Sequence, residues 1–295
     1  MPEPTTNELQ PPLPLAEKLG LETIPTRPLC HYTTQGGLIG ILKDKAMWAT
    51  DAAYLNDSQE VVYAVNLAKK YFRNRTPKDL RFEMEMRNIL EQTEGLAGRL
   101  PAYVASFSEE PDLLSQWRGY CSEGPGFTLC VSAGRMMTLA GTHDWQFFKC
   151  IYDEDAQVEI LKKMLGEAVD DPAYAQSFPT QVAFGLLLLY LATAFKHPKF
   201  KEESEWRAVK RTGGTPFVQP GAPVIPPKVR PGASTLTPYI PFPLTVKDEP
   251  VELVALVVGP TPHPSLAIRA AKGLLQERGI ICPEPVSSEI PFRNW

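Results

Sequence analysis

The chain has 295 residues, of which 43% are hydrophobic, 22% charged and 9% aromatic, enough to bury a substantial core and to exclude wholesale disorder. Thirty Lys and Arg against 34 Asp and Glu give a formal net charge of −4, so a bulk positive field for nonspecific binding of nucleic acid or anionic membrane is missing, while a local basic patch stays compatible with the total. Thirty prolines, about twice the average share, demand long irregular connections, and the 20 glycines show no collagen triplet.

Residues 1–28 hold seven prolines, including Pro11-Pro12-Leu13-Pro14, and read as a Pro-rich N-terminal arm without a basic-then-apolar signal pattern. From residue 29 to 295 a single domain is expected. A strand ending in His31 and Thr33 feeds a helix over Gln35 to Lys45, where Leu38, Ile39, Ile41 and Leu42 recur at helical spacing. Asp57-Ser58 can cap a second helix reaching about Phe72, and a charged amphipathic helix follows between Pro77 and about Glu94. Then the texture changes. Ala102 to Ser108 predicts a strand, Pro111 to Gly119 a short helix, Gly126 to Val131 a strand and Trp145 to Tyr152 another. Asp155 to Ala168 and Thr180 to Phe195 predict helices, and Glu203 to Lys210 a strand. Between Gly213 and Pro243 nine prolines and four glycines argue against any helix or central strand, so this stretch is expected to be a Pro-rich surface insertion. Val251 to Val258 predicts a buried strand, Ser265 to Arg278 a helix stopped by Gly279, and Ile280-Ile281 a short strand. Helices first and strands later point to the α+β class.

The five cysteines, Cys30, Cys121, Cys130, Cys150 and Cys282, are odd in number and scattered, no C-x-x-C occurs, and there are four histidines. That pattern supports neither a disulfide framework nor a zinc site, and no metal is expected. A reducing, cytoplasmic compartment follows. The longest apolar run, from Val182 to Phe195, is too short to span a bilayer and reads as a buried helix.

Four patterns carry possible chemistry. In the first, Cys30-His31-Tyr32-Thr33-Thr34 runs into Gly36-Gly37 at a helix start, presenting an imidazole, a hydroxyl and open backbone N–H groups to an anionic ligand such as a pyrophosphate. The plainer alternative is a capping Thr34 and a satisfied, half-buried His31. In the second, Tyr103 to Glu109, strand alternation sets Ser106 and Ser108 on one face and Tyr103 and Phe107 on the other. The serines either bond a ribose or amide or simply close the strand. In the third, Trp117 shares a helical face with Leu113 and Leu114, as a core anchor or as a wall for a flat ring, with Arg118 a phosphate partner and Tyr120 a second aromatic. In the fourth, Glu203, Glu205 and Arg207 share one face of a strand, either as a solvated ion-pair row or as carboxylates that stabilise an oxocarbenium-like transition state. No G-x-S-x-G elbow, Walker sequence or G-x-G-x-x-G after a strand is present.

In this order the patterns resemble the ADP-ribosyltransferase superfamily, and most closely a widespread bacterial group catalogued largely as a domain of unknown function. His31-Tyr32-Thr33 with Leu38 to Leu42 is similar to the opening strand and helix of the DNA-modifying and poly-ADP-ribosylating branches. Tyr103 to Ser108 is similar to the second strand, Glu205-Trp206-Arg207 to the late strand carrying the catalytic glutamate, and Ser288 to Arg293 to the closing segment of the bacterial group. The resemblance implies a split, mostly antiparallel sheet with helices concentrated in the N-terminal half. It also implies NAD as co-substrate and an unidentified protein or nucleic-acid acceptor. His31 would bind the adenosine ribose with Thr33 in support and Tyr32 beside it; Glu205 would serve the nicotinamide ribose, and Glu203 would help activate the acceptor. Some branches use a tyrosine in the second motif and others Ser-x-Ser, so Tyr103 competes there with Ser106 and Ser108, the serines being favoured. Trp117 or Tyr120 would wall the nicotinamide. Bacterial conflict or phage defence is the implied setting, and a neutralising or complex-forming partner fits it.

Another class is a non-catalytic nucleotide- or nucleic-acid-binding module on the same fold. Six Lys or Arg against three Glu between Lys196 and Arg211 are the feature that favours it.

Overall fold

The computed structural model describes residues 23–54, 59–73, 80–95, 102–121, 125–170, 185, 188–211, 225–232, 235–247 and 249–291. The predicted arm falls outside these up to residue 22, as does the Asp57-Ser58 cap. In chain order the elements are β1 (Leu29–Thr34), α1 (Gln35–Asp44), β2 (Ala46–Asp51), α2 (Gln59–Arg73), α3 (Leu80–Gly95), β3 (Ala102–Ser108), α4 (Leu114–Tyr120), β4 (Gly126–Val131), α5 (Ala133–Thr142) and β5 (Gln146–Lys149). They continue with α6 (Glu154–Asp170), a 3₁₀ turn at Pro198–Glu203, β6 (Glu205–Arg211), β7 (Lys228–Pro231), β8 (Leu236–Pro243), β9 (Ala255–Val258), α7 (Pro264–Arg278) and β10 (Val286–Ser287). Helical turns also cover residues 188–192.

The strands form one open mixed sheet in the order β10-β9-β4-β1-β3-β2-β8-β7, with β6 on β3 and β5 on β6. All pairings between these strands are antiparallel except β9 with β10. The branching is at β3. One edge pairs with β6 along its whole length, from Ala102↔Arg211 to Ser108↔Glu205. The other edge is shared: β1 meets it at Cys30↔Ser108, and β2 at Thr50↔Val104 and Asp51↔Tyr103. Between these contacts β1 and β2 diverge, which makes a fork.

Helix α1 joins the two arms of the fork. Thr34 caps it by accepting a bond from the Gly37 amide at 3.1 Å, and Lys45 ends it in the left-handed region at φ 49°. Leu38, Ile41 and Leu42 face the core. Gly40 faces Trp48 of β2, and a Cβ there would come within 2.2 Å of the indole ring. Gly40→Ala is therefore expected to destabilise the fold: the overlap costs about 1–3 kcal/mol against the roughly 1 kcal/mol that Ala gains over Gly in a helix. Urea unfolding monitored by tryptophan emission measures it, and an unchanged midpoint and emission would contradict this seating of Trp48.

The core has two main parts, one on each side of the central strands. Leu38, Ile41, Phe107, Leu129, Leu139, Trp206, Phe242 and Leu275 make one with α1, α5 and α7. Val65, Leu90, Val104, Phe148, Leu161, Tyr190, Phe195 and Val209 make the other with α2, α3, α6 and residues 188–195. Period-two alternation explains the split, because Phe107 and Trp206 point one way while Val104 and Val209 point the other.

Three sequence expectations need correction. The Pro-rich stretch is not strand-free: β7 and β8 lie in it, and β8 pairs with both β2 and β7. Its prolines are tolerated because β7 lies against Leu236 to Tyr239 and β2 against Tyr239 to Pro243, which leaves edge positions where a missing N–H breaks no ladder bond. The expected strand at Ile280-Ile281 is a single bridge, Glu252↔Ile281. Cys30 and Cys130 face each other across β1 and β4, Cα atoms 4.0 Å apart, and are disulfide-bonded, while Cys121, Cys150 and Cys282 are free thiols. A separation of 100 residues gives no sequence signal for a bond that only the strand register creates. Among the described residues no helix is long and apolar enough to cross a membrane, and no group of three or more His, Cys, Asp and Glu is arranged to hold a metal ion.

Candidate functional site

The start of β6 carries a cluster of four charged side chains. Glu205 and Arg207 lie two residues apart on one face, opposite Ser108 and Ser106 of β3. Arg207 Nε donates to Glu205 Oε1 at 2.7 Å and Nη2 to Oε2 at 3.1 Å, while Nη1 donates to the Thr193 carbonyl at 2.8 Å. Lys196 Nζ donates to Glu205 Oε2 at 2.6 Å and also to Glu203. The side chains are 3% exposed for Arg207, 4% for Lys196, 6% for Glu205 and 17% for Glu203, so the row is buried and not the solvated one that charge spacing allows.

Lys196 arrives from a different part of the chain. Residues 151 and 195 form a parallel bridge, and the Lys196 amide donates to the Ile151 carbonyl at 3.0 Å. Gln157, fully buried on α6, donates to the Ile151 and Lys196 carbonyls and accepts from Tyr63. Glu203 is not on the strand: it ends the 3₁₀ turn, and Ser204 reverses the backbone at φ 42° before β6 begins. Its carboxylate still meets Glu205 through their shared lysine.

Burial works against ionisation of Glu205, but Arg207 and Lys196 overcome it and hold the carboxyl at about 2. Burial likewise opposes the charge on Lys196, yet Glu205 and Glu203 keep its ammonium protonated above the usual lysine range. A carboxylate offers about four acceptor positions; Lys196 and Arg207 occupy three on Glu205, leaving one. Tyr120 stands beside the cluster. The residue as a whole is 45% exposed, while burial of the hydroxyl, with the Glu205 charge next, raises its pKa above the ordinary tyrosine value.

On the other side of β3, His31 fills part of the fork. Its Nδ1 lies 2.9 Å from the Ser106 carbonyl and its ring centroid 6.0 Å from that of Phe107. A carbonyl only accepts, so Nδ1 carries the proton and Nε2 presents a lone pair. Burial, then Arg230, lowers the His31 pKa against the opposing Ser106 bond, which keeps the ring neutral at pH 7. Arg230 reaches over from β7, its guanidinium 5.6 Å from the Trp48 ring and Nη2 bonded to Thr50 at 3.0 Å. Its buried Nε has no partner among the described residues. An orphaned cationic donor near a neutral imidazole acceptor suits a ligand carrying both phosphate and hydroxyl groups.

The row Cys30, Ser108, Glu205 crosses three neighbouring strands, so β1 and the cluster stand about 10 Å apart with β3 between them. Ser106 and Ser108 share the Glu205 face, while Tyr103 belongs to the core on the other side. Several predicted residues are tied into the scaffold. Tyr32 donates to the Glu110 carbonyl and accepts from the Leu113 amide, and burial pushes its hydroxyl pKa up. Ser108 donates to the Glu203 carbonyl and accepts from the Glu110 amide. Trp117 is 4% exposed, edge-on to Tyr32 at 4.7 Å and bonded to Asp112, so it is the core anchor and Tyr120 the exposed aromatic. Thr33 lies against Gly37, where a Cβ would come within 2.0 Å of its hydroxyl, and Arg118 is on the exposed side of α4.

Sequence reading missed Lys196 and Arg230. For Lys196 a signal existed: a cation abutting the longest apolar run is forced to find a buried partner. For Arg230 there was none, because the hairpin that carries it lies within the proline-dense stretch.

The fold defines an α+β protein with a mostly antiparallel open mixed sheet, and the site is a buried carboxylate cluster on its central strands. Residues 116–208 match the family model described as a protein of unknown function, DUF2971. That segment runs from α4 to β6 and includes Trp117, Tyr120, Lys196, Glu203, Glu205 and Arg207. No curated protein and no solved structure matches the chain.

Proposed function

We propose that the protein is an NAD-dependent ADP-ribosyltransferase with Glu205 at its reaction centre. The observation that carries this reading is a buried carboxylate, bonded by Arg207 and Lys196 through three of its roughly four acceptor positions, which leaves one for a ligand. That position would take a hydroxyl of the nicotinamide ribose. As the C–N glycosidic bond breaks, its electron pair leaves with nicotinamide, and the fixed negative charge steadies the oxocarbenium-like carbon. Tyr120 would flank the departing ring. An acceptor nucleophile then bonds to that carbon and gives up its proton toward Glu203, the more accessible carboxylate. His31 Nε2 would accept from the adenosine ribose, and Arg230 Nε would donate to a phosphate oxygen.

The alternative is a non-catalytic binding module, favoured by the three bonds that Lys196 and Arg207 already make to Glu205, which a structural ion pair would also show. Its other support weakens. Of the six basic residues between 196 and 211, Lys196 and Arg207 are buried in the cluster, Lys210 is bonded to the His143 carbonyl, and Arg211 lies 4.8 Å over the Tyr190 ring. A phosphate-binding edge is left with Lys199 and Lys201. Nicotinamide release from NAD, abolished by Glu205→Gln, separates the readings: the transferase requires it, whereas salt-sensitive nucleic-acid binding without release supports the module.

A further inference from the structure

The closing segment around Ser288 makes no contact with NAD in the scheme above, yet it is fastened to the helix that carries Tyr120. Asp112 makes the fastening. Its Oδ1 accepts from Trp117 Nε1 at 2.7 Å and from Ser288 Oγ at 2.6 Å, and its Oδ2 accepts from the Glu289 amide at 2.8 Å. One carboxylate thus joins α4 to a segment 176 residues further along the chain. Ser288 is in turn fixed to the sheet, because its amide donates to the Val258 carbonyl at 2.7 Å just beyond the parallel β9–β10 pair. Ile290 packs into the small cluster of Tyr32, Trp117 and Val257, and its amide donates back to Ser288 Oγ at 3.0 Å. Gly259 completes the seat, since a Cβ there would come within 2.8 Å of the Trp117 ring.

These contacts compensate for a weakness in α4. The helix is seven residues long and its N-cap, Leu113, supplies no side-chain bond, so it depends on tertiary contacts to stay formed. Tyr120 is its last residue, three positions beyond Trp117 and on the turn that follows the clasped indole.

We propose that Asp112 is a positioning residue, a carboxylate clasp through which the Ser288–Ile290 segment holds α4 so that Tyr120 stays beside Glu205. The link to catalysis rests on the reading of Glu205 as the reaction centre; the mechanical coupling of the two segments does not.

The test perturbs one side of the clasp and reads the other. Ser288→Ala removes a hydroxyl from the C-terminal segment and no atom from α4, and Asp112→Asn replaces one acceptor with a donor. Hydrogen exchange of the intact chain is followed at the Trp117 and Cys121 amides, which bond to the Leu113 and Trp117 carbonyls. Both variants should raise exchange there by about tenfold, the scale of losing a hydrogen bond to a charged group. Exchange that rises at residues 286–290 alone, with α4 as protected as before, overturns the clasp. In turnover, Ser288→Ala should lower kcat for nicotinamide release with little change in the KM for NAD, because Tyr120 is displaced and the fork is not. Equal loss in kcat and in global stability would mean a merely structural contact and would also overturn the positioning role. If the wild-type chain releases no nicotinamide, the exchange measurement alone decides the clasp, and it is the reading of Glu205 that fails.

Discussion

Arg207→Met should destabilise the protein by about 3–5 kcal/mol, the cost of stranding a buried charge whose partner has been removed. Glu205 then keeps Lys196 but loses its two guanidinium bonds, at 2.7 and 3.1 Å, and the Thr193 carbonyl loses its donor. The melting temperature should fall by roughly 10 °C for a chain of this size. The double variant Arg207→Met, Glu205→Met should recover much of that loss, because a pair of apolar side chains in place of a buried ion pair is often neutral or stabilising. Thermal and urea unfolding of the two singles and the double close the cycle. Additive losses would show that the two side chains do not interact as the cluster requires.

Acid should act on the same cluster, in a direction fixed by the sign of the shift. The Glu205 carboxyl lies at about 2 in the folded protein against an ordinary 4.5. A depressed value of this kind contributes stability that is fully present above 4.5 and is lost as the pH falls through 2. The contribution at neutral pH is roughly 3 kcal/mol. Unfolding free energy measured from pH 7 down to pH 2 should therefore drop most steeply below 4.5, and Glu205→Gln should flatten that acid limb. A wild-type limb no steeper than that of the variant would show that Glu205 is not held ionised by its neighbours.

Much of the scaffold could be read from local pattern. The β3 boundaries follow from the alternation of Ala102 to Ser108, and α7 ends at Gly279 because its φ of 63° suits glycine. What pattern could not give was topology. β2, Ala46–Asp51, lacks a clean alternation, being buried at four of six positions, and α5, Ala133–Thr142, contains two glycines. β8 was hidden because proline density is a sound argument against a central strand paired along both edges, which β8 is not. The site divides in the same way. Glu205 and Arg207 were legible as a same-face pair, but their burial depends on Lys196 and on residues 188–195, which packing alone brings over the strand. Sequence leaves Ser108 and Trp117 open to either role and sets Tyr32 beside the ligand-binding His31, and the partners of all three in the 109–113 loop decide for the scaffold. A neutral His31 with an open Nε2 follows only from its bond to the Ser106 carbonyl.

The most direct test of the central claim is nicotinamide release from NAD by the purified 295-residue chain, beside Glu205→Gln and with cell extract as the source of acceptor. Thermal unfolding of both proteins, with and without NAD, verifies that the variant is folded and reports binding separately from turnover. The account predicts release by the wild type, its loss in a folded Glu205→Gln protein, and an NAD-induced rise in melting temperature in both. Release that persists unchanged in the variant, or a wild-type chain that neither releases nicotinamide nor shifts with NAD, would contradict it.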